Sequence, residues 1–590
     1  MEGEMESVNP RYMTAASIIS SLGFGTEENM ANILRYASGI CRIDDASLFE
    51  EPFMAARIDD ARLYRKTEEQ GLGGYTRMEQ LFILSLQDTI RQSGIRPDDP
   101  DCTLILSTTK GNIDRLAGTD YPAPEVYLSS MAGRIAGYFG FVHRPIVISN
   151  ACISGVSALI VAARLIEAGR FRHALVAGGD LLTRFVVTGF QSFKAVSPRR
   201  CRPYDRDRDG LSLGEACGSL LMTADRELVH EQTPVLFKGG AITNDANHIS
   251  GPSRTGDGLS YAIGQALHEA NLRGEELSFI NAHGTATLYN DEMESKAFRL
   301  AGVDGCPVNS LKPYWGHTLG ASGIIEVIAC MEELRRGELF GTLGYQHCGT
   351  PYPLQVNACH QKAGTRHCLK TASGFGGCNA AILLSRAEIC PASAFHPSET
   401  MEKYSWRSII IREGNISVDG KTRFEAAPDL PFPDFIRSAY KFLALDDRKF
   451  YKMDDLCKLG YMATAFLLAE QEEKTGCNPL EIGVVLANRS SSLDTDLRHQ
   501  HLIDTSGDRG ASPAIFVYTL PNVVMGELCI RYRIQGENTF FIADAYPDTF
   551  IHEYVRIVME KQKLKACLAG WCELLEGHYE ARFEWIERIE

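Results

Sequence analysis

Cys152 is the residue of this 590-residue chain whose surroundings best suit nucleophilic chemistry. It follows the apolar run PIVISNA and comes just before a strongly helical segment that begins near Gly155. The positive end of a helix macrodipole stabilises a thiolate, and the small neighbours Ala151 and Ser154 permit a tight turn that exposes the sulfur. Because a lone cysteine beside a strand is usually a core residue, the assignment depends on the groups that accompany it.

Two histidines lie in glycine-rich turns further along the chain. His283 opens HGTATLYND, and His317 lies in NSLKPYWGHTLGASG together with Lys312. A single loop histidine is more often a surface residue than a catalyst. Two of them with a cysteine at a helix start form the set of groups that condensation of acyl thioesters needs. We therefore expect Cys152 to be the nucleophile, with His283 and His317 assisting it.

The apolar runs around these residues predict the elements that position them. CTLILSTT and PIVISNA are typical of buried strands, GVSALIVAARLIEAG predicts a helix, and HALVAGGD predicts another strand. This βαβ order predicts a parallel or mixed sheet covered by helices. The same style continues to about Ala387, so we expect one large α/β domain there. A linker is predicted over residues 388–404, where EICPASAFHPSET lacks periodicity.

The sequence after the linker repeats the style of the first part. VVLANRSSSLD lines up with LILSTTKGNID, and MGELCIRYRIQGENTFFIADAY lines up without a gap with MAGRIAGYFGFVHRPIVISNAC. CLAGWCELL likewise echoes ALVAGGDLL, in the same order. Residues 405–590 are therefore predicted to be a degenerate half-repeat in which Tyr546 takes the place of Cys152. Two unrelated α/β segments with generic strand–helix patterning remain the alternative.

Composition excludes several classes of protein. The formal net charge of -15 argues against nucleic acid as the main partner. The 17 cysteines are scattered and form no CxxC pair, which favours reduced thiols without a metal site. MEGEMESVNP is too acidic for a signal peptide, and the most apolar helical stretch is too short for a membrane span. A cytoplasmic protein is expected.

Several motifs resemble those of a known family. SNACISG, HGTATLYND, SLKPYWGHTLGASG and GFGGCNA resemble, in that order, the signature blocks of β-ketoacyl–acyl-carrier-protein synthases of the two-histidine, thiolase-fold type. The resemblance covers about residues 10–387. It implies a layered αβαβα fold, with the nucleophile half in residues 1–225 and the half with both histidines in residues 226–387. Residues 405–590 would then form a partial thiolase-like α/β domain without catalytic groups.

The resemblance also implies roles for individual residues. Cys152 would take an acyl group from the phosphopantetheine arm of an acyl carrier protein, and a malonyl thioester would lose CO2 to give an enolate held by His283 and His317. The N–H groups of Cys152 and Phe375 would form the oxyanion hole, and Phe375 and Gly376 would also gate the acyl pocket. No cofactor beyond the carrier's arm is expected.

Further positions are assigned from the same resemblance. Lys312 and Glu326 match the supporting charged pair of the family and would hold the histidines. Ala286 replaces a glycine that the family usually has. A basic cluster is the expected docking surface for the acidic carrier, and it consists of Arg199, Arg200 and Arg202.

The expected function is a decarboxylating condensation in fatty-acid, polyketide or polyene synthesis, with an aryl polyene as one example. Members of the family dimerise through the sheet that carries the nucleophile, so a homodimer is expected, or a pseudo-dimer in which the half-repeat occupies that interface. Two alternatives remain open. One is a non-catalytic partner subunit like a chain-length factor, which suits the C-terminal residues better than the first 387, and the other is a non-decarboxylating acyltransferase or thiolase.

Overall fold

A computed structural model describes residues 10–119, 122–387, 404–427, 429–469 and 477–589. We call residues 10–387 the main part and residues 404–589 the C-terminal segment. Nearly all of the predicted linker lies outside the described residues. Its last residue, Tyr404, already belongs to the first strand of the C-terminal segment.

The first section of the main part holds nine strands and six helices. They are β1 (Tyr12–Ser20), β2 (Gly23–Phe24), α1 (Thr26–Leu34), β3 (Ile40–Ile43), β4 (Phe53–Ala56), α2 (Asp60–Glu69), α3 (Arg77–Ser93), β5 (Cys102–Ser107), α4 (Leu128–Phe139), β6 (Ile146–Ile148), α5 (Ser154–Glu167), β7 (His173–Asp180), α6 (Arg184–Ser192), β8 (Leu213–Gly214) and β9 (Ala216–Thr223).

The second section of the main part follows the connection that contains the predicted boundary at residue 225. Its elements are β10 (Val235–Asn244), α7 (Asp257–Ala270), β11 (Phe279–Asn281), α8 (Leu288–Leu300), β12 (Pro307–Asn309), α9 (Lys312–Trp315), α10 (Ser322–Arg336), β13 (Glu338–Leu339), β14 (Gln355–Val356), β15 (Gln361–Lys362), β16 (His367–Gly374) and β17 (Cys378–Arg386).

The C-terminal segment is also mixed α/β. Its elements are β18 (Tyr404–Arg412), β19 (Asn415–Val418), β20 (Lys421–Glu425), α11 (Phe432–Phe442), α12 (Asp455–Leu468), β21 (Ile482–Asn488), α13 (Leu493–Ser506), α14 (Pro513–Phe516), α15 (Val523–Tyr532), β22 (Asn538–Ile542), α16 (Asp548–Lys561), β23 (Ala566–Leu575) and β24 (His578–Arg588).

Local sequence explains where these helices begin and end. In α3, Thr76 and Glu79 form a capping box that satisfies the free N–H groups of the first turn. Gly94 ends the same helix in the left-handed conformation, with φ 69°. α5 is apolar on every face, with Ser154 through Ile166 all buried. A helix of that kind belongs between layers, and this is where α5 lies.

The main part has five layers. The first sheet has the order β1-β9-β7-β5-β6, in which β7, β5 and β6 are parallel and the β9 pairings are antiparallel. The second sheet has the order β10-β17-β16-β11-β12-β14. α5 and α10 pack between the two sheets, α3 covers the outer face of the first, and α7 covers the second. The expected layered αβαβα architecture is confirmed.

The C-terminal segment repeats the first sheet. Its strands have the order β18-β24-β23-β21-β22, with the same parallel and antiparallel pairings. Even the register agrees, since Val484 pairs with Leu568 as Leu104 pairs with Leu175. The half-repeat predicted from sequence thus has the topology of the nucleophile-bearing half.

β6 and β22 join the two sheets. They pair antiparallel, with Ile148 opposite Phe541 and Val147 opposite Ile542. The result is one ten-stranded sheet that crosses from the main part into the C-terminal segment. Ile148 and Phe541 belong to one continuous apolar cluster, so the contact is a core and not a loose surface contact.

The gapless alignment of the two copies is one residue out at β22. Leu106 pairs with Val147 in the main part, whereas the corresponding Leu486 pairs with Phe540 and not with Phe541. α16 nevertheless starts two residues after Tyr546, as α5 starts two residues after Cys152. The turn between β22 and α16 therefore holds one extra residue. Counted back from the start of the helix, Tyr546 corresponds to Cys152. Counted forward from the paired strands, the residue before Tyr546, an alanine, corresponds to Cys152.

Buried ion pairs cross the contact between the two parts. Arg164 of α5 forms two hydrogen bonds with Glu537, at 2.8 and 3.0 Å, and a third at 2.8 Å with the hydroxyl of Tyr554. Lys110 forms an ion pair with Asp496 at 2.6 Å. All of these side chains are buried, and buried charges without such partners are costly. The two parts are therefore matched to each other in charge as well as in shape.

Candidate active site

Cys152 lies in a strained turn between β6 and α5. The preceding residue, Ala151, has φ 48°, a conformation that L-residues rarely adopt. A Cβ atom at Gly155 would meet Ile324 N at 2.9 Å and Gly320 O at 3.0 Å. Only glycine therefore lets the start of α5 lie against the start of α10. This close approach brings the loop that carries His317 to the nucleophile turn.

The thiol of Cys152 is half-buried, and burial raises its pKa to about 12. The nearby charge of Lys312 acts in the opposite direction, and Asp180 adds to the rise. Desolvation of the charged form thus outweighs the stabilisation that the helix start was expected to provide. The resting form is the thiol, so any reaction in which this sulfur acts as a nucleophile needs a group that removes its proton.

His283 is held through its backbone. It follows β11, and the N–H groups of His283 and Gly284 both donate to the carboxylate of Glu294 at 2.8 Å. Glu294 lies on α8, is fully buried, and also accepts a hydrogen bond from the hydroxyl of Tyr204 at 2.8 Å. Nδ1 of His283 is buried without a hydrogen-bond partner among the described residues. The turn is thus fixed while one ring nitrogen remains unpaired.

His317 lies against His283. Their ring centroids are 5.2 Å apart and the rings are nearly perpendicular, at 87°. Nδ1 of His317 lies 3.0 Å from the hydroxyl oxygen of Ser322 in the first turn of α10. Burial, reinforced by the charge of Lys312, lowers the pKa of both histidines well below 6.5. Both rings are therefore neutral at physiological pH and can accept a proton or donate an N–H.

Glu326 is paired with two lysines, of which the sequence predicted only one. Lys312 Nζ lies 2.7 Å from one carboxylate oxygen, and Lys370 Nζ lies 2.5 Å from the other. All three side chains are almost fully buried. Burial alone would raise the pKa of Glu326, but the two lysines hold it below 4.5. The cluster carries one net positive charge beside the histidines.

Lys370 reaches this cluster from β16. The strand pairs with β11, placing Lys370 beside Asn281, and Lys370 Nζ also lies 3.5 Å from the carbonyl oxygen of Ala282, just before His283. The only sequence signal is a lysine in the otherwise uncharged strand interior CLKTASG. Such a residue must find a counter-ion when buried, but the sequence does not show which one.

The GFGG turn lies directly against the nucleophile. A Cβ atom at Gly374 would be 3.1 Å from the backbone nitrogen of Cys152, and Gly376 needs its φ of 87°. Among the described residues, the N–H group of Phe375 has no hydrogen-bond acceptor, and the N–H group of Cys152 interacts with its own sulfur. Two backbone donors beside a sulfur are what an oxyanion formed there would require. The oxyanion role of Cys152 and Phe375 stays a prediction.

Aromatic side chains surround Phe375, and one of them comes from the C-terminal segment. The ring of Phe375 is nearly parallel to that of Phe190, at 6.2 Å between centroids, and 5.6 Å from that of Phe193. Phe516 of α14 contacts both of these rings, at 5.5 and 6.2 Å. The apolar side of the site is therefore built by both parts of the chain, which the sequence did not reveal.

The proposed docking arginines lie elsewhere on the main part. Arg199 is exposed and forms an ion pair with Asp209 at 2.7 Å, while Arg200 and Arg202 are half-buried. Arg199 is thus already paired in the free protein. In the part of the chain that the structure describes, no three histidine, cysteine or carboxylate side chains are grouped as metal ligands. Among those residues, no helix is both long and apolar enough to cross a membrane.

Comparison with known proteins agrees with the site. Residues 13–227 match the N-terminal domain of β-ketoacyl synthases, and residues 236–346 match the C-terminal domain of the same enzymes. The 3-oxoacyl-[acyl-carrier-protein] synthase 2 of Vibrio cholerae is 29% identical over 279 residues, which cover 45% of this chain and 67% of the relative.

Two solved structures extend the comparison. The ishigamide ketosynthase/chain length factor is 25% identical, with a TM-score of 0.59, and the match covers 65% of this chain and all of that one. The PfaC keto synthase-chain length factor is 14% identical, with a TM-score of 0.75, and the match covers 98% of this chain and 78% of that one. The second likeness shows that the fold extends over the C-terminal segment. The two matched domains, which together cover more than half of the chain, show that it belongs to the β-ketoacyl synthase family.

Proposed function

We propose that the main part catalyses the decarboxylating condensation of an acyl group on Cys152 with malonyl-acyl carrier protein. Members of the family are acyltransferases that carry out this Claisen condensation in general. The observation that carries the assignment to these residues is the packing of the His317 loop against the Cys152 turn at Gly155, with the neutral, buried ring of His283 beside that of His317. Neutral imidazoles suit both steps, since one step needs a base and the other needs N–H donors.

Acyl transfer comes first. The sulfur of Cys152 attacks the carbonyl carbon of the acyl thioester on the carrier's phosphopantetheine arm, and a neutral histidine takes the thiol proton. The N–H groups of Cys152 and Phe375 stabilise the negative oxygen. The bond to the phosphopantetheine sulfur then breaks, and the histidine returns the proton to that sulfur. No cofactor of the enzyme itself takes part in this scheme.

Condensation follows on the acyl-enzyme. The malonyl thioester loses CO2, and its electron pair moves into an enolate whose oxygen accepts hydrogen bonds from His283 and His317. The positive charge of the Lys312–Glu326–Lys370 cluster favours this anion, and burial together with that charge keeps the histidines neutral. The enolate carbon attacks the acyl carbon, the bond to Cys152 breaks, and the thiolate that leaves takes up a proton from solvent.

The C-terminal segment is proposed to be a non-catalytic partner fused to the enzyme. It reproduces one sheet of the main part and has Tyr546 before α16 where the main part has Cys152. Its described residues form no counterpart of the second sheet, which carries His283 and His317 in the loops at its strand ends. Its pairing with β6 gives a pseudo-dimer within one chain. The likeness to ketosynthase–chain length factor structures supports this reading. Polyketide or polyene synthesis, including aryl polyenes, is the favoured context.

Acyl carrier protein is the proposed partner, and Arg199, Arg200 and Arg202 are proposed to take part in docking its acidic surface. In this scheme the acidic chain presents a local basic cluster to an acidic partner, although its net charge is -15.

Mass spectrometry of carrier-bound species tests the proposal. The full chain is incubated with malonyl-loaded carrier and a panel of acyl-loaded carriers, and the masses of the protein and of the products are measured. We expect acyl mass on the peptide containing Cys152, release of CO2 and a β-ketoacyl carrier. Cys152→Ala should abolish the acyl mass, whereas His317→Ala should leave acylation detectable and strongly reduce decarboxylation.

Cys348→Ser is the matched control, because Cys348 is the exposed thiol whose pKa is lowered and so the most reactive alternative. It should leave acylation and product formation unchanged. Acyl transfer to Cys152 without any β-keto product would favour the non-decarboxylating transferase. Acyl mass on Cys348 in place of Cys152 would refute the proposed nucleophile.

A further inference from the structure

Asn522 of the C-terminal segment forms a hydrogen bond within the active site of the main part. It directly precedes α15, and its Nδ2 donates to the carbonyl oxygen of Phe375 at 2.8 Å. The same nitrogen lies 3.7 Å from the sulfur of Cys378. Asn522 is only 2% exposed, so solvent does not compete for this bond. One side chain thus links the partner-like segment to the residue that carries an oxyanion donor.

The surrounding backbone fits equally closely. A Cβ atom at Gly526, one turn further along α15, would lie 2.7 Å from the carbonyl oxygen of Gly376 and 2.9 Å from its Cα. Only glycine therefore allows α15 to approach the turn. The opposite side of the turn faces the nucleophile, since a Cβ at Gly374 would be 3.1 Å from the nitrogen of Cys152. The GFGG turn is enclosed between α15 and Cys152.

Residues of the main part also form hydrogen bonds with this turn, but most of these bonds are to Gly376 and not to Phe375. Asn244 Nδ2 donates to the carbonyl of Gly376 at 2.9 Å, and the N–H of Gly376 donates to Ile249. At the carbonyl of Phe375, the main part contributes the thiol of Cys378 at 3.2 Å, a weak donor. The amide of Asn522 is the stronger donor at that carbonyl.

We propose that Asn522 is a positioning residue that, with Gly526, holds the Phe375 turn in the geometry needed for the oxyanion of acyl transfer. The C-terminal segment is then part of the catalytic apparatus and not only a scaffold. The inference rests on the proposed function, since it assumes that Cys152 is acylated. It predicts a defect in chemistry that forms an oxyanion, without a matching defect in the reactivity of the thiol itself.

Three variants of the full chain test this. Asn522→Leu keeps the branched shape of the side chain and removes the donor. Gly526→Ala adds a methyl group against Gly376 while leaving Asn522 intact. Tyr554→Phe is the matched control, because it removes a buried hydrogen bond to Arg164 across the same contact between the two parts, away from the turn. Loss of one such bond costs about 1 kcal/mol, so Asn522→Leu and Tyr554→Phe should lower the melting temperature comparably.

Mass spectrometry compares the rates of two reactions of Cys152, acylation and alkylation. In Asn522→Leu and Gly526→Ala, acylation by an acyl-carrier thioester should fall about 10- to 100-fold, because misplacement by about 1 Å costs up to about 100-fold. Alkylation by iodoacetamide at alkaline pH forms no oxyanion and should stay within about threefold of the unaltered chain. Tyr554→Phe should leave both rates unchanged.

The outcomes separate the two proposals. Acylation of Asn522→Leu at the rate of Tyr554→Phe would overturn the positioning role while leaving the proposed function intact. Parallel loss of acylation and alkylation would also overturn it, because general damage to the packing explains that result. If the unaltered chain is never acylated at Cys152, the proposed function fails and this inference fails with it.

Discussion

Replacing Glu326 with glutamine should destabilise the protein strongly, because one carboxylate balances two buried lysines. Lys312 and Lys370 lie 2.7 and 2.5 Å from its two oxygens, and the three side chains are at most 3% exposed. In Glu326→Gln both ammonium groups lose their counter-charge and remain in a region without water. Breaking a buried ion pair by removing one partner costs about 3–5 kcal/mol.

The expected shift in melting temperature follows from this free energy. Unfolding entropy is about 2.1 cal/mol/K per residue near the transition. A loss of about 3–5 kcal/mol then corresponds to a decrease of roughly 2–4 °C if the whole chain unfolds as one unit, and roughly 4–6 °C if the main part, residues 10–387, melts first. Differential scanning calorimetry at neutral pH measures this shift.

Acid should reduce the difference between the two proteins. The lysines hold the pKa of Glu326 below 4.5, so its stabilising charge is present above about pH 4.5 and is lost as the pH falls through the lowered value. The melting temperatures of the unaltered chain and of Glu326→Gln should therefore converge at acid pH. A difference in melting temperature that stays constant down to the lowest pH at which both proteins fold would contradict this electrostatic explanation.

A second substitution gives the decisive comparison. In Glu326→Gln with Lys370→Met, one of the two uncompensated charges is removed, so stability should recover by about 1–3 kcal/mol relative to the sum of the single changes. Glu276→Gln is the control, since its ion pair with Arg273 is exposed and surface pairs contribute little. Absence of recovery in the double variant would refute the description of the three residues as one charge cluster.

Two further predictions concern the contact between the two parts and the nucleophile. Arg164→Met should lower the free energy of unfolding by about 3–5 kcal/mol, because it leaves the buried carboxylate of Glu537 unpaired. Adding Glu537→Leu should restore most of the melting temperature. A double variant as unstable as the single one would contradict this explanation. At neutral pH iodoacetamide should label Cys348 before Cys152, because burial raises the pKa of Cys152 to about 12, whereas hydrogen bonds from Thr350 outweigh burial and lower that of Cys348. Peptide mass spectrometry gives the order of labelling, and faster labelling of Cys152 would indicate a preformed thiolate.

The sequence predicted most of the residues that meet at the site, because each lies in a short motif at the end of an apolar run. Cys152 follows β6, His283 follows β11, and His317 precedes α10, as the glycine-rich turns indicated. The layered fold followed from the same runs and from the family resemblance. Chemistry at strand ends is visible in sequence when the turn itself carries the reactive group.

Residues that act across elements were not predicted. Lys370 lies in a strand interior, and its partner Glu326 is 44 positions away. Asn522 is 147 positions from Phe375. Glu294 was not assigned a role, although it holds the backbone of His283 from α8. Each role depends on a contact fixed by the packing of sheets and helices, and no local pattern encodes such a contact.

The alignment of the half-repeat shows a related limit. It gave the correct topology, and it gave the correct register between β21 and β23, but it missed one extra residue in the turn before α16. A shift of one residue in a strand reverses which side chains face the core. The strand pairing in the structure therefore locates the extra residue, whereas the weak similarity between the two copies does not.

The position of β6 shows how the C-terminal segment bears on the turn that holds Cys152. β6 leads directly into the Cys152 turn, and without β22 it would be an exposed edge strand. The C-terminal segment also bonds the turn itself, since Ser149 N–H donates to the carbonyl of Phe540 at 3.2 Å and Asn150 Nδ2 donates to that of Asn538 at 2.9 Å. Whatever pairs with β6 therefore sets the geometry of the nucleophile. Fusion into one chain makes that pairing independent of protein concentration, whereas a separate subunit would have to associate before the turn was complete.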